Sequence, residues 1–160
     1  MPRDAFTLTE EGNSSNKQTC IAYDLAENGD FYNYMKGFGG LPLHIVRNYV
    51  DQLIQAIGAI HKADVCHRDL KLENIVLDST FGIKVIDFGI SCSLSGPQRN
   101  GFCPKGEKVG TLGYMAPEVL LECKYQPAMA DLFAFGVIIF IMVTGHLPFE
   151  EASINDKYYK

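Results

Sequence analysis

The run from Leu132 to Val143 is apolar at every position except Gly136, and it follows directly on a carboxylate, Asp131. Such a run falls short of the roughly 20 residues that a membrane-spanning helix needs. It predicts instead a helix over 129–144, buried on all sides inside a globular domain and ended by Gly145 and Pro148. A charged residue at the mouth of such a helix must find partners, because an unpaired buried charge is costly.

The rest of the chain can supply that domain. It has 160 residues, 47% of them hydrophobic, enough for one core. A net charge of −5 argues against a general nucleic-acid binder and gives no attraction to an anionic membrane. Five cysteines, at 20, 66, 92, 103 and 123, include no Cys-x-x-Cys pair and read as reduced intracellular thiols. Cys66–His67 has no second ligand pair at zinc-site spacing. The first residues, Met-Pro-Arg-Asp-Ala-Phe-Thr, hold no apolar segment of a secretory signal, so a cytoplasmic location is expected.

Local patterns divide the chain. Phe6-Thr-Leu-Thr and Thr19-Cys-Ile-Ala-Tyr favour strands and flank a polar loop, Glu10 to Gln18, in the manner of a hairpin. Asp30 is placed to cap a short helix through Met35. Pro42 can open the next helix, expected over Leu43 to His61, with Val46, Val50, Leu53, Ile57 and Ile60 as its apolar stripe. Ile75-Val-Leu and Ile83-Lys-Val-Ile are short strands joined by a turn at Asp78 to Gly82. Cys92 to Lys108 is a long Gly/Pro/Ser-rich loop, of the kind that is functional in compact domains.

Asp69, Lys71, Asn74 and Asp87 lie on two loops beside these strands. Phosphoryl transfer needs such residue types. One carboxylate accepts the proton of a hydroxyl nucleophile, a carboxylate–amide pair holds magnesium, and a cation stabilises the phosphoryl group in flight. Singly, each is an ordinary loop residue. Jointly, His67-Arg-Asp-Leu-Lys-Leu-Glu-Asn74, then Asp87-Phe-Gly89, then Ala116-Pro-Glu118, in that order, form a specific set.

On these motifs the sequence resembles the serine/threonine protein kinases from about residue 6 to its last residue, in motif style closest to the calcium/calmodulin-dependent type. The resemblance implies an α+β, protein-kinase-like fold: residues 1–26 as a remnant of the N-lobe sheet with the hinge, and 27–160 as part of a mainly helical C-lobe. It implies ATP and magnesium as cofactors, and transfer of the γ-phosphate to Ser/Thr hydroxyls of protein substrates. Asp69 matches the catalytic base, Lys71 the γ-phosphate lysine, and Thr111 the threonine that bridges them. Asn74 and Asp87 match the metal ligands. His67 and Phe88 match members of the hydrophobic stack. Asp24, Ala26, Asp30 and Val76 match nucleotide contacts, with Tyr23 at the gatekeeper. Asp131 matches a buried carboxylate that receives backbone N–H bonds from the catalytic loop, and Ile138 and Met142 match positions under the adenine floor.

Two finer expectations follow from the resemblance. Arg68 commonly pairs with a phosphothreonine whose position here is Glu107, so a carboxylate could pair with Arg68 without modification, and Ser91, Ser93 and Ser95 remain as phosphosites. Glu73 implies substrates with Arg or Lys before the target hydroxyl. The 160 residues contain no Gly-x-Gly-x-x-Gly loop and no Val-Ala-Ile-Lys strand; the lysine before the hinge, Lys17, falls in the polar loop. The expected consequence is slow or absent phosphoryl transfer by this chain alone, with one face of the central helix bared. A non-catalytic, kinase-like binding or regulatory fragment is the alternative.

Overall fold

The computed structural model describes residues 4–9, 17–95 and 101–160. Its elements are β1 (Asp4–Thr9), β2 (Lys17–Ala22), α1 (Phe31–Met35), α2 (Leu43–Lys62), β3 (Val65–Cys66), β4 (Ile75–Leu77), β5 (Ile83–Val85), β6 (Cys92–Ser93), α3 (Pro117–Leu120) and α4 (Pro127–Thr144). Short 3-10 turns occupy Leu72–Asn74 and Leu112–Tyr114. The strands form three separate antiparallel pairs: β1 with β2, β3 with β6, and β4 with β5.

The first hairpin pairs Asp4 with Ala22 and Thr9 with Lys17. Positions 10–16 of the expected polar loop lie outside the described residues. Lys17 and Gln18 were expected in that loop and are instead the first residues of β2, where their backbone groups oppose Thr9 and Leu8. Asp30 caps α1 as expected: its Oδ1 accepts from the Asn33 N–H at 2.8 Å. β4 and β5 pair through Ile75–Val85 and Leu77–Ile83. Their turn is held by Asp78 Oδ1, which accepts from the N–H groups of Thr80 and Gly82, each at 2.9 Å.

The long amphipathic helix α2 ends one residue later than the pattern predicts. It buries Val46, Tyr49, Leu53 and Ile57, while Val50 and Ile60 are half-buried. Tyr49 joins the core by packing edge-on against Phe31, ring centroids 4.7 Å apart. The principal core gathers this face with Phe31, Leu70, Leu72, Ile75, Leu77, Val137, Ile138 and Met142. Truncating a residue such as Leu53 to Ala would cost about 2–5 kcal/mol.

Helix α4 begins at Pro127, two residues before the predicted start, because a proline in the first turn has no N–H to leave unpaired. Gly145 ends it at φ 81°, donating its N–H to Ile141 O at 2.7 Å. The expectation of burial on all sides is corrected. Asp131, Ala134, Val137, Ile138, Ile141 and Met142 face the core, but Met129, Leu132, Phe140 and Val143 are 39–53% exposed, with no described element covering them. The full helix, 18 residues at mean hydropathy 2.1, is also long and apolar enough to cross a membrane by length and composition, which the shorter apolar run was not expected to be.

A second, smaller core collects Cys66, Cys92, Cys103, Met115, Ala116, Val119 and Tyr125. It packs the β3–β6 pair against the segment that leads into α3. Phe133 touches both cores, so the base of α4 joins them.

Candidate active site

Asp131 is 1% exposed and organises the loop that follows β3. Its Oδ2 accepts from the His67 N–H at 2.9 Å, and its Oδ1 from the Arg68 N–H at 2.8 Å. His61, in the last turn of α2, places Nε2 2.8 Å from the same Oδ2. These donors hold the chain in a turn that puts Arg68 at φ 68°, a left-handed conformation that L residues rarely adopt. The backbone bonds match the role expected of Asp131; the contribution of His61 was not read from the sequence, where it was only the last residue of the expected helix. His61, Cys66 and Asp131 bring their ligand atoms within 4.8 Å of one another. Both carboxylate oxygens already accept N–H groups, and burial, with the Asp131 charge second, pushes the Cys66 thiol up. The group is therefore a hydrogen-bonded knot rather than a zinc site.

Downstream of the knot, three side chains close a ring. The Thr111 hydroxyl donates to Asp69 Oδ1 at 2.7 Å, and Lys71 Nζ donates to Thr111 Oγ1 at 2.8 Å. Lys71 Nζ also lies 2.8 Å from Asp69 Oδ2. Asn74 Nδ2 donates to the Asp69 backbone carbonyl at 2.9 Å and to Oδ2 at 3.2 Å. Thr111 reaches Asp69 because Gly110 precedes it at φ 113°, where a Cβ would stand 2.8 Å from Arg68 O. One carboxylate thus sits in a cage of an ammonium, a hydroxyl and an amide, all from residues named by the motifs.

The amide oxygen of Asn74 points away from that cage, since its nitrogen serves Asp69. Asn74 is joined to the second loop by the Ile86 N–H, which donates to Asn74 O at 2.9 Å. The next residue, Asp87, is exposed at φ 63°, its Oδ1 accepting from the Gly89 N–H at 3.2 Å. The Ile86–Asn74 backbone bond sets the two segments side by side, and a carboxylate and an amide oxygen are hard oxygen donors of the kind magnesium prefers. His67 Nδ1 accepts from the Asp69 N–H at 3.2 Å, so its Nε2 carries the proton toward Ile86 O at 2.8 Å. Its ring packs against Phe88, centroids 4.9 Å apart.

The structure also brings Asp30 beside Val76 through an isolated antiparallel bridge, with the Leu77 N–H donating to Gly29 O at 2.8 Å. Both Asp30 oxygens accept from Asn33, the second from Nδ2 at 2.7 Å. The Ala26 carbonyl accepts from the Gly29 N–H at 3.2 Å, in the turn that carries Asp30. Tyr23 and Asp24 are exposed.

Arg68 and Glu107 meet: Nη1 donates to Oε1 at 2.6 Å, with the two side chains 8% and 23% exposed. Burial is the largest single influence and works against the guanidinium charge, but the hydrogen bond and charge of Glu107, with the other groups around Arg68, together outweigh it and push its proton affinity up. Arg68 Nε also donates to Ile90 O at 2.6 Å, a tie the sequence did not show. Of the expected phosphosites, Ser93 and Ser95 both donate through Oγ to Asp64 Oδ2 at 2.6 Å, and Ser91 donates to Phe88 O at 2.7 Å. Glu73 is exposed on its 3-10 turn.

Comparison with known proteins decides the family. The model of the protein kinase domain matches residues 7–160. The chain belongs to the protein kinase family. Relatives are named as serine/threonine kinases. CBL-interacting serine/threonine-protein kinase 13 of Arabidopsis thaliana is 39% identical over 140 residues, 88% of this chain and 27% of its own length. CBL-interacting protein kinase 29 of Oryza sativa subsp. japonica is 35% identical over 147 residues, 92% of this chain and 32% of its own. Testis-specific serine/threonine-protein kinase 2 of Mus musculus is 38% identical over 148 residues, 89% of this chain and 40% of its own. The kinase chain described here thus spans about a third of the length of the curated relatives it matches. Members of the family generally use ATP and magnesium.

Proposed function

We propose that this kinase domain transfers the γ-phosphate of ATP to Ser or Thr hydroxyls of protein substrates, with Asp69 as the base. The observation that carries this reading is the closed ring of Asp69, Thr111 and Lys71. It fixes one carboxylate where it can orient a hydroxyl and take its proton, with an ammonium beside it for the charge on the phosphoryl group. Magnesium held by Asn74 and Asp87 would neutralise charge on the phosphate oxygens. Asp30 would accept from ribose hydroxyls, Val76 would lie under the adenine, and backbone groups of Asp24 and Ala26 would meet its edge.

On this reading, residues 1–26 contribute the last strands of an N-lobe and the hinge, and 27–160 form part of a C-lobe. The domain is soluble and cytoplasmic, acts on proteins rather than nucleic acid or membranes, and uses exposed Glu73 to favour basic residues upstream of the target hydroxyl. The ion pair between Arg68 and Glu107 holds the loop before Gly110 without a phosphate. Because these 160 residues include no Gly-x-Gly-x-x-Gly loop and no Val-Ala-Ile-Lys run, the polypeptide alone transfers phosphate slowly or not at all.

The test is transfer from radiolabelled ATP to a Ser/Thr peptide library, using the purified chain and its Asp69→Asn variant. Slow, magnesium-dependent transfer that disappears in the variant is expected. Transfer that survives Asp69→Asn unchanged refutes the assignment of the base. Turnover at ordinary kinase rates refutes the claim of slow activity. ATP binding without any transfer favours the non-catalytic alternative.

A further inference from the structure

Three of the five cysteines meet in the smaller core, and the catalytic reading uses none of them. All five are present as thiols. Cys66 is the last residue of β3, immediately before the loop that carries Asp69, and Cys92 opens β6, beyond Asp87-Phe88-Gly89. The register sets Cys66 directly opposite Cys92. Residues directly opposite in an antiparallel pair point to the same face. Their Cα atoms stand about 4.5–5.5 Å apart, inside the ~4.4–6.8 Å range that a disulfide spans.

We propose that Cys66 and Cys92 form a reversible disulfide when the protein meets hydrogen peroxide. This inference stands on the β3–β6 register and does not depend on the proposed activity. The Cys92 sulfur attacks peroxide: an S–O bond forms, the O–O bond breaks, and one water leaves, giving a sulfenic acid. The Cys66 sulfur then attacks Cys92: the S–S bond forms, the S–O bond breaks, and a second water leaves. The two thiols are oxidised together and one peroxide is reduced to two waters.

The order of events follows from the surroundings. Cys92 is the more accessible of the pair, 8% exposed against 0% for Cys66. It also lies within electrostatic reach of the Arg68 guanidinium. Burial and the neighbouring Asp131 charge oppose ionisation of Cys66, which makes it the slower of the two to meet peroxide. Cys103 is the competitor. Its sulfur accepts from Arg68 Nη1 at 3.7 Å, but its strand-like bridge is to Tyr125, not to either of the other two thiols. The bond would close residues 67–91 into a loop. Asp69, Lys71, Asn74 and Asp87 all lie within it, so oxidation would fasten together the two segments that carry the candidate site.

The experiment treats the purified chain with graded hydrogen peroxide, blocks remaining thiols, digests it without reductant, and maps linked peptides by mass spectrometry. The expected product is a peptide pair joining Cys66 to Cys92, two hydrogens lighter than the separate peptides and released by dithiothreitol. Cys103→Ser should keep that product and Cys92→Ser should lose it. The unmutated chain alone decides the matter even if a variant folds poorly. A dominant Cys92–Cys103 or Cys66–Cys103 link overturns the proposal. So does recovery of Cys66 and Cys92 as thiols at peroxide levels that fully oxidise the exposed Cys123.

Discussion

Replacing Asp131 with Ala tests whether its carboxylate is the organising centre of the loop that carries Asp69. The substitution removes the acceptor of the His67 N–H, at a fully buried residue, and of the Arg68 N–H. Each buried donor left without a partner costs about 1–3 kcal/mol. His61, whose side chain is 20% exposed, can turn its freed Nε2 to water and adds little. Relief of the buried carboxylate's desolvation offsets part of the loss. The expected net cost is about 3–5 kcal/mol, the range for breaking one partner out of a buried charged network. Against a typical domain stability of about 5–15 kcal/mol, that is a large fraction.

Asp131→Asn keeps the shape and one acceptor oxygen but turns an NH2 group toward the other N–H. It should cost about half as much, ~1–3 kcal/mol. Urea denaturation followed by far-ultraviolet circular dichroism reads the midpoint shift at constant slope. Hydrogen exchange at the amides of 67 and 68 reads the local consequence, and both should lose protection in the Ala variant ahead of the α2 amides. A cost below about 1 kcal/mol for Asp131→Ala, or unchanged exchange at those amides, would refute the account.

Other consequences are as direct. Glu107→Ala leaves Arg68 with a buried guanidinium and no carboxylate, so phosphoryl transfer should fall several-fold in a kinase assay; unchanged activity would remove Glu107 from the regulatory scheme. Gly110→Ala forces a Cβ to 2.8 Å from Arg68 O at a φ of 113°, which should destabilise the protein by about 1–3 kcal/mol in thermal melts and loosen the Thr111–Asp69 bond. The Ser93 and Ser95 hydroxyls hold the Asp64 carboxyl below its ordinary 3.8. A depressed folded value stabilises above the unfolded one and is lost as pH falls through the folded one. The β3–β6 amides should therefore lose protection below about pH 4, and Asp64→Asn should abolish that part of the acid response in pH-dependent hydrogen exchange.

The elements legible in the sequence were those with a period or a punctuating residue. Helix α2 declared itself by its stripe, α1 by its Asp30 cap, and β4 and β5 by β-branched runs around a turn. β3 and β6 have two residues each, too few to show any alternation, and they exist because their segments are pressed together by the smaller core and by Asp64. α3 is a single turn, defined by its packing of Val119 rather than by its pattern. At the site, the residue types of Asp69, Lys71, Asn74, Asp87 and Thr111 were readable because a motif fixes them in order. The tie from His61 to Asp131 and that from Arg68 to Ile90 were not, since both join residues far apart in the chain and neither histidine nor a backbone carbonyl advertises its partner.

The site also explains why side chains occupy backbone conformations that glycine would take without strain. Asp64, Arg68 and Asp87 stand at φ 64°, 68° and 63°. A left-handed L residue costs roughly 1–2 kcal/mol. In each case the side chain makes a bond that glycine could not. Asp64 accepts from Ser93 and Ser95, Arg68 donates to Ile90 and Glu107, and Asp87 accepts from Gly89. These turns lie after α2, within the loop of Asp69, and before Phe88, where the chain must reverse while turning polar groups toward a shared space. Local strain of this kind persists only where surrounding bonds over-determine it. Arg68 shows this most fully, held by Asp131 through its backbone and by Ile90 and Glu107 through its side chain. Arg68 and Asp87 thus place strained backbone in the two segments that carry the candidate chemistry, while Phe81 and Glu122, at φ 61° and 53°, sit in turns outside them.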